Sequence, residues 1–183
     1  QVARARFDYD GRSAAYLAPK GIRFTGTAQW FLEAPNAPKA FGSAEGSLLI
    51  ARPVDRDKIL TVTMDAGVKL GDTPPTLYQF GLGGPFRLGA FPPYAFRGPN
   101  YALGSVGYKI PVSQLPQLLG GNLYLQTLVE AGSVFESLEQ ARLRSSFSAG
   151  FAADTLLGPF FAGASVSHQG ETRVYFMMGR LVR

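Results

Sequence analysis

The chain has 183 residues, 46% hydrophobic and only 17% charged, with 22 glycines, no cysteine and a formal net charge of +5. That length is within the range of one domain, the missing cysteines exclude a disulfide framework and a thiolate metal site, and lysines and arginines scattered without a cluster argue against nucleic acid as a partner. No apolar run approaches the ~18 residues of a spanning helix.

The first element is Val2–Asp10, where residues alternate between apolar and polar from the start. No signal peptide is read there, and residue 1 falls directly in the pattern, as expected of a mature or truncated piece. Gly21–Glu33 follows: Ile22, Phe24, Gly26, Ala28, Trp30 and Leu32 share one parity, and Arg23, Thr25, Thr27, Gln29 and Glu33 share the other. Successive strand side chains point to opposite faces, so this reads as a strand with one apolar and one polar side. Ala40–Arg52 repeats the pattern. In Lys58–Leu70, Leu60, Val62, Met64, Ala66, Val68 and Leu70 oppose Thr61, Thr63, Asp65 and Lys69. Further alternating segments are Tyr101–Ile110, Asn122–Gly132, Arg142–Asp154, Phe160–His168 and Arg173–Val182.

About nine long strands are therefore predicted, where globular strands average about five or six residues. Transmembrane strands need roughly 9–11 residues, because they cross the bilayer tilted. The polar parity holds Arg4, Arg6, Arg23, Glu45, Asp65, Lys69, Lys109, Glu130, Arg142, Arg144 and Asp154. Charges of both signs suit a wet or ion-paired lumen, and the Ala, Val, Leu, Phe and Gly of the other parity suit lipid. Phe7, Trp30 and Tyr108 lie towards strand ends on that apolar side, where interfacial aromatics belong. The soluble alternative is an antiparallel sheet with one face on a core and the other in water.

Short or proline-marked connections (Ala51–Asp57, Pro111–Gly121, Leu156–Pro159) alternate with Ala34–Lys39, Gly71–Asn100, Ser133–Ala141 and Gln169–Glu171. Outer-membrane barrels have short periplasmic turns and longer external loops. The long Gly71–Asn100 segment is then external at its ends and the C-terminus periplasmic. Bacterial barrels have even strand numbers, so an odd count implies missing N-terminal strands or closure with a second chain.

The segment "FGLGGPFRLGAFPPYAFRGPN", Phe80 to Asn100, is punctuated by glycine and proline yet rich in aromatics, with Arg87 and Arg97. Irregular loops this long are uncommon in compact domains unless functional. "LYQFGLGGPFRLGAF" resembles the sixth extracellular loop of the BamA-type outer-membrane superfamily, which begins with a Gly-Gly pair and carries an Arg-Gly-aromatic tip folded into the barrel lumen. Gly83 and Gly84 match the pair, Arg87 the arginine and Phe91 the tip aromatic. The Arg-Leu-Gly-Ala-Phe tip is similar to the Arg-Leu-Ser-Gly-Tyr form of the branch with an N-terminal patatin-like phospholipase domain. "LPQLLGGNLYLQTLVEAGSVFE" and "AADTLLGPFFAGASVSHQGETRVYFMMGR" also resemble that branch. "EAGSVF" stands where the family has a Phe-x-Asp-x-Gly element whose aspartate meets the loop arginine. The resemblance thus implies Glu130 as the residue pinning Arg87; a wall residue such as Arg144 is the other partner open to Glu130.

The resemblance implies an all-β fold: the C-terminal portion of a sixteen-stranded antiparallel transmembrane barrel, one domain over 1–183, with a lumenal loop at about 71–100. It implies a barrel in the bacterial outer membrane that anchors, and translocates or assembles, an attached patatin-like lipase domain. The barrel of a two-partner secretion or BamA-like translocation and assembly factor is the alternative, and a soluble lipid-binding barrel a second. Expected partners are membrane lipids, the missing strands or a second chain (possible homo-oligomer) and the outer-membrane assembly machinery. The family's terminal sorting signal wants an aromatic residue where Val182 stands, followed here by Arg183.

Catalytic chemistry is not expected of the chain itself. No Gly-x-Ser-x-Gly nucleophile elbow occurs, and "GLGG" is not followed by the Gly-Lys-Ser/Thr of a phosphate loop. His168, the one histidine, reads as a surface residue, and one histidine without cysteine argues against zinc. No cofactor is expected.

Overall fold

A computed structural model of the chain describes residues 1–13, 20–33, 37, 39–55, 58–114, 120–155 and 158–179. It is all-β. Nine antiparallel strands form one sheet: β1 (Val2–Asp10), β2 (Gly21–Phe31), β3 (Phe41–Asp55), β4 (Lys58–Gly71), β7 (Asn100–Gln114), β8 (Gly120–Phe135), β9 (Arg144–Thr155), β10 (Gly158–Ser167) and β11 (Thr172–Met178). Each strand pairs with its sequence neighbours, in the order β1-β2-β3-β4-β7-β8-β9-β10-β11. β1 and β11 stand at the two ends of this order, so the sheet is open rather than a closed barrel. The remaining strands, β5 (Phe80–Leu82) and β6 (Phe96–Gly98), form a separate ribbon inside the long connection.

The alternation read from the sequence sets the register, since a one-residue slip would turn every side chain to the other face. Ser105 opposes Glu130, Glu130 opposes Ser146, and Ser146 opposes Ser167 across four consecutive strands. We call the face carrying this row, and the long connection, the inner face. Thr63, Asp65, Ser105, Gln126, Glu130, Ser146, Ser148, Ser165 and Ser167 are all on it, and all are buried. The outer face carries Phe24, Met64, Val68, Val106, Val129, Phe147, Phe151, Val166, Val174 and Phe176, and all are exposed. Burial is thus inverted relative to a sheet packed on a soluble core, which hides its apolar side.

Strand ends differ modestly from the sequence reading. β3 runs through Pro53 to Asp55, and β7 through Pro111 to Gln114, each with a register shift at or just after the proline. Proline donates no ladder hydrogen bond, and a bulge is one of the few ways a sheet accommodates it. β9 starts at Arg144 rather than Arg142. Val182 and Arg183, which bear on the terminal sorting signal, lie outside the described residues.

At the end of the sheet that carries the long connection, Phe31, Phe41 and Tyr78 pack together on the inner side, with ring centroids 4.9–5.2 Å apart. On the outer side of the same end, the Trp30 ring spreads over the neighbouring strand. A methyl group on Gly42 would come within 2.5 Å of that ring.

Candidate functional site: a loop seated on the inner face

The long connection leaves β4 at Gly71, makes one 3-10 turn at Thr76–Tyr78, and then forms the β5–β6 ribbon. Sequence alone read this stretch as irregular. Three-residue strands are too short to show a period. The tip, residues 83–95, is closed by its own backbone. Gly83 N–H donates to the Arg87 carbonyl at 2.7 Å, and Gly84 N–H to the Phe91 carbonyl at 2.9 Å. Gly83 and Gly84 both have positive φ, 113° and 98°, where side chains are disfavoured. The Gly-Gly pair therefore has a local structural reason. Phe86, Leu88 and Tyr94 also adopt positive φ (60°, 70° and 56°). Such backbone costs of order 1–3 kcal/mol per residue and persists only where surrounding contacts over-determine it.

Those contacts are with β7 to β11. Leu82, Leu88, Ala90 and Phe91 bury themselves against Tyr101 and Leu103 of β7, with Phe80, Phe96 and Val134 alongside. Phe91 meets Phe96 edge-on at 4.9 Å, and the Arg144 guanidinium lies 3.9 Å from the centre of the Phe96 ring. Further along the tip, Phe86 meets Phe161 of β10 edge-on at 5.1 Å. Fully buried apolar side chains of this size contribute ~1.5–3 kcal/mol each, enough to offset the local backbone strain.

The four loop residues singled out in the sequence therefore sit together in one tip. Phe91 is its buried anchor. Arg87 lies with its guanidinium carbon 5.2 Å from the centre of the Tyr101 ring. The Tyr101 hydroxyl in turn donates to Glu45 Oε1 on β3. Glu130, fully buried in β8, accepts the Gly89 N–H at 2.8 Å and the Ser146 hydroxyl at 2.9 Å, both on Oε2. Glu130 holds the tip through the main chain two residues beyond Arg87, while Arg87 packs on an aromatic wall residue. Arg144 lies over the Phe96 ring and donates to the Arg142 carbonyl at 3.3 Å. Arg97 is exposed and stacks over Tyr94 at 5.2 Å.

A second group on the inner face was not picked out from sequence. Ser148 and Ser165 share a hydrogen bond of 2.6 Å, and Ser165 shares another of 2.9 Å with the Tyr175 hydroxyl. The signal available was hydroxyl residues at inward parity on three adjacent strands. His168 lies at the strand end with Nδ1 3.3 Å from the exposed-side Ser145 hydroxyl. Among the described residues, no three His, Asp or Glu side chains are grouped as metal ligands.

No family model matches the chain, and no curated protein matches it.

Proposed function

We propose that this sheet is the C-terminal part of a sixteen-stranded outer-membrane β-barrel of the BamA-type superfamily, with the long connection folded into its lumen. The barrel anchors an attached patatin-like lipase domain and serves its translocation or assembly. The observation that carries the reading is the inversion of burial. Strands of up to 16 residues hide serines, an aspartate and a glutamate, and expose valines, phenylalanines and methionines. In water that outer surface would be a contiguous apolar patch, which monomeric soluble proteins rarely carry. In a bilayer it is the expected lipid-facing band. A soluble lipid-binding barrel would show the opposite alternation.

The seated loop supports the same reading. Non-helical backbone at membrane depth survives only where protein or a wet cavity surrounds it, and a loop packed on the inner face meets that condition. The two edges carry a corollary. Unpaired N–H and C=O groups in lipid cost several kcal/mol each. In the membrane, β1 and β11 are therefore covered by further strands or by a second chain.

The test is solubility and insertion. The chain, refolded from denaturant, is expected to need detergent or vesicles to stay monodisperse, and to float with vesicles on a density gradient. A monodisperse, folded species in detergent-free buffer would sink the proposal.

A further inference from the structure

Among the described residues, the last strand is the shortest of the sheet. β11 pairs with β10 over only seven residues, Thr172 to Met178, and its other edge has no partner in the sheet. Its outward side chains Val174 and Phe176 are about 80% exposed. Two of its inward side chains are half-buried. Tyr175 and Met177 pack with Phe161, Ala152 and Tyr124, and the remaining member of that group is Phe86 from the loop tip. The Phe161 ring meets Phe86 edge-on at 5.1 Å and stacks with Tyr175 at 5.7 Å.

Gly89 completes the contact. A methyl group there would lie 2.5 Å from the Ser165 hydroxyl, 2.9 Å from that of Ser148 and 3.1 Å from that of Tyr175. These are the three hydroxyls that bond to one another across β9, β10 and β11. The Gly89 backbone thus rests directly on the hydroxyl chain, while its N–H is taken by Glu130. The need for glycine at this position is external, set by the wall and not by a left-handed backbone. Rotating any one hydroxyl away to admit a side chain would break the chain that ties Tyr175 to the wall.

We propose that the loop tip is a wedge that locks the terminal strand: Gly89 and Phe86, seated on the Ser148–Ser165–Tyr175 chain and Phe161, hold β11 in register on β10. Withdrawal of the tip releases β11. The position of the loop and the pairing state of the sheet edge are then two readouts of one equilibrium. The strand that ends the sheet is free to change partner only when the loop is unseated. This rests on contacts within the chain, and it stands or falls separately from the membrane reading.

The experiment is amide hydrogen exchange on the full chain in detergent micelles, comparing β11 amides (Val174 to Phe176) with β2–β4 amides. Gly89→Ala is expected to speed β11 exchange roughly tenfold or more, as overpacking of a fitted contact does, while leaving β2–β4 unchanged. The same substitution made in a Ser165→Ala background, which lacks the nearest clashing oxygen, is expected to do less harm than in the wild type. Tyr175→Phe removes only the terminal hydroxyl and is expected to loosen β11 by less than Gly89→Ala does. If Gly89→Ala leaves β11 exchange unchanged, or speeds it equally across the sheet, the wedge is wrong. Additive effects of Gly89→Ala and Ser165→Ala would overturn it too. Should Gly89→Ala not fold, Tyr175→Phe decides: faster exchange confined to β10–β11 supports the lock, and a uniform or absent effect overturns it.

Discussion

The inner face is one surface built in two ways. Over β7 to β11 the loop covers much of it, and the polar groups buried there are mostly hydroxyls, with Glu130 among them: Ser105, Ser146, Ser148, Ser165 and Ser167. Over β1 and β2 it is bare, and ion pairs stand beside Thr25, Thr27 and Gln29. Arg6 pairs with Asp8 at 2.7 Å, Arg12 with Asp10 at 2.7 Å, and Arg23 approaches both aspartates. The difference follows from desolvation. Neutral hydroxyls can satisfy one another when water is excluded, whereas buried charge is expensive unless fully paired and bonded. Exposed ions retain their hydration and gain little from pairing. Glu130, fully buried under the loop, accepts a main-chain N–H and a hydroxyl there.

Substitutions on the two halves should separate these regimes. The largest effect is expected for Glu130→Ala. It orphans two buried donors, each worth ~1–3 kcal/mol, and removes charge-assisted bonds, for a loss of about 4 kcal/mol. Denaturant titration of folding into vesicles would measure it, and protease cleavage near Tyr94 should appear at the same time. A loss under 1 kcal/mol would mean that the covered half does not depend on its acid. Next comes Met64→Arg, on the outer face at 59% exposure. In a bilayer it should cost about 2–4 kcal/mol, whereas Thr27→Arg, on the bare inner half, should cost much less. Equal costs at the two sites would reverse the facing assignment. Arg87→Ala removes a partly shielded guanidinium from the Tyr101 ring, and about 1 kcal/mol is expected. The loop should stay seated, because the Gly89 and Phe91 contacts remain; a loop freed by this change alone would make Arg87 its principal hold. Smallest is Arg6→Ala on the bare half. Its side chain is 57% exposed, and no measurable change in midpoint is expected at physiological salt.

Much of this was legible in the sequence. Period-two alternation located all nine strands of the sheet and assigned Glu130, Asp65 and Arg4 to the same face, because parity alone decides facing. The prolines misled at two ends, since Pro53 and Pro111 read as turn residues and sit instead at or beside irregularities in β3 and β7. The site was legible in its residues but not in its bonds. Parity placed Glu130 on the face that carries the loop but did not reveal its bond from the Gly89 N–H, because a backbone donor has no side-chain signature. The Ser148–Ser165–Tyr175 chain was likewise hidden. It depends on three strands meeting in register, and each serine alone is indistinguishable from any other inward polar residue. The β5–β6 ribbon is held by tertiary contacts that a window of three residues does not encode.

Trp30 is the sequence's one tryptophan. It lies at the loop end of the outer face, 39% exposed, with its ring close against Gly42 of the adjoining strand. This gives the protein a built-in optical depth gauge that needs no label. In vesicles the indole should emit to the blue of its position in denaturant. Lipids brominated near the headgroup should quench it more strongly than lipids brominated near the chain ends. Gly42→Ala would lift the ring off its neighbour and change that depth profile, so a single fluorophore reports both where the rim of the sheet sits and how tightly the aromatic is laid against it.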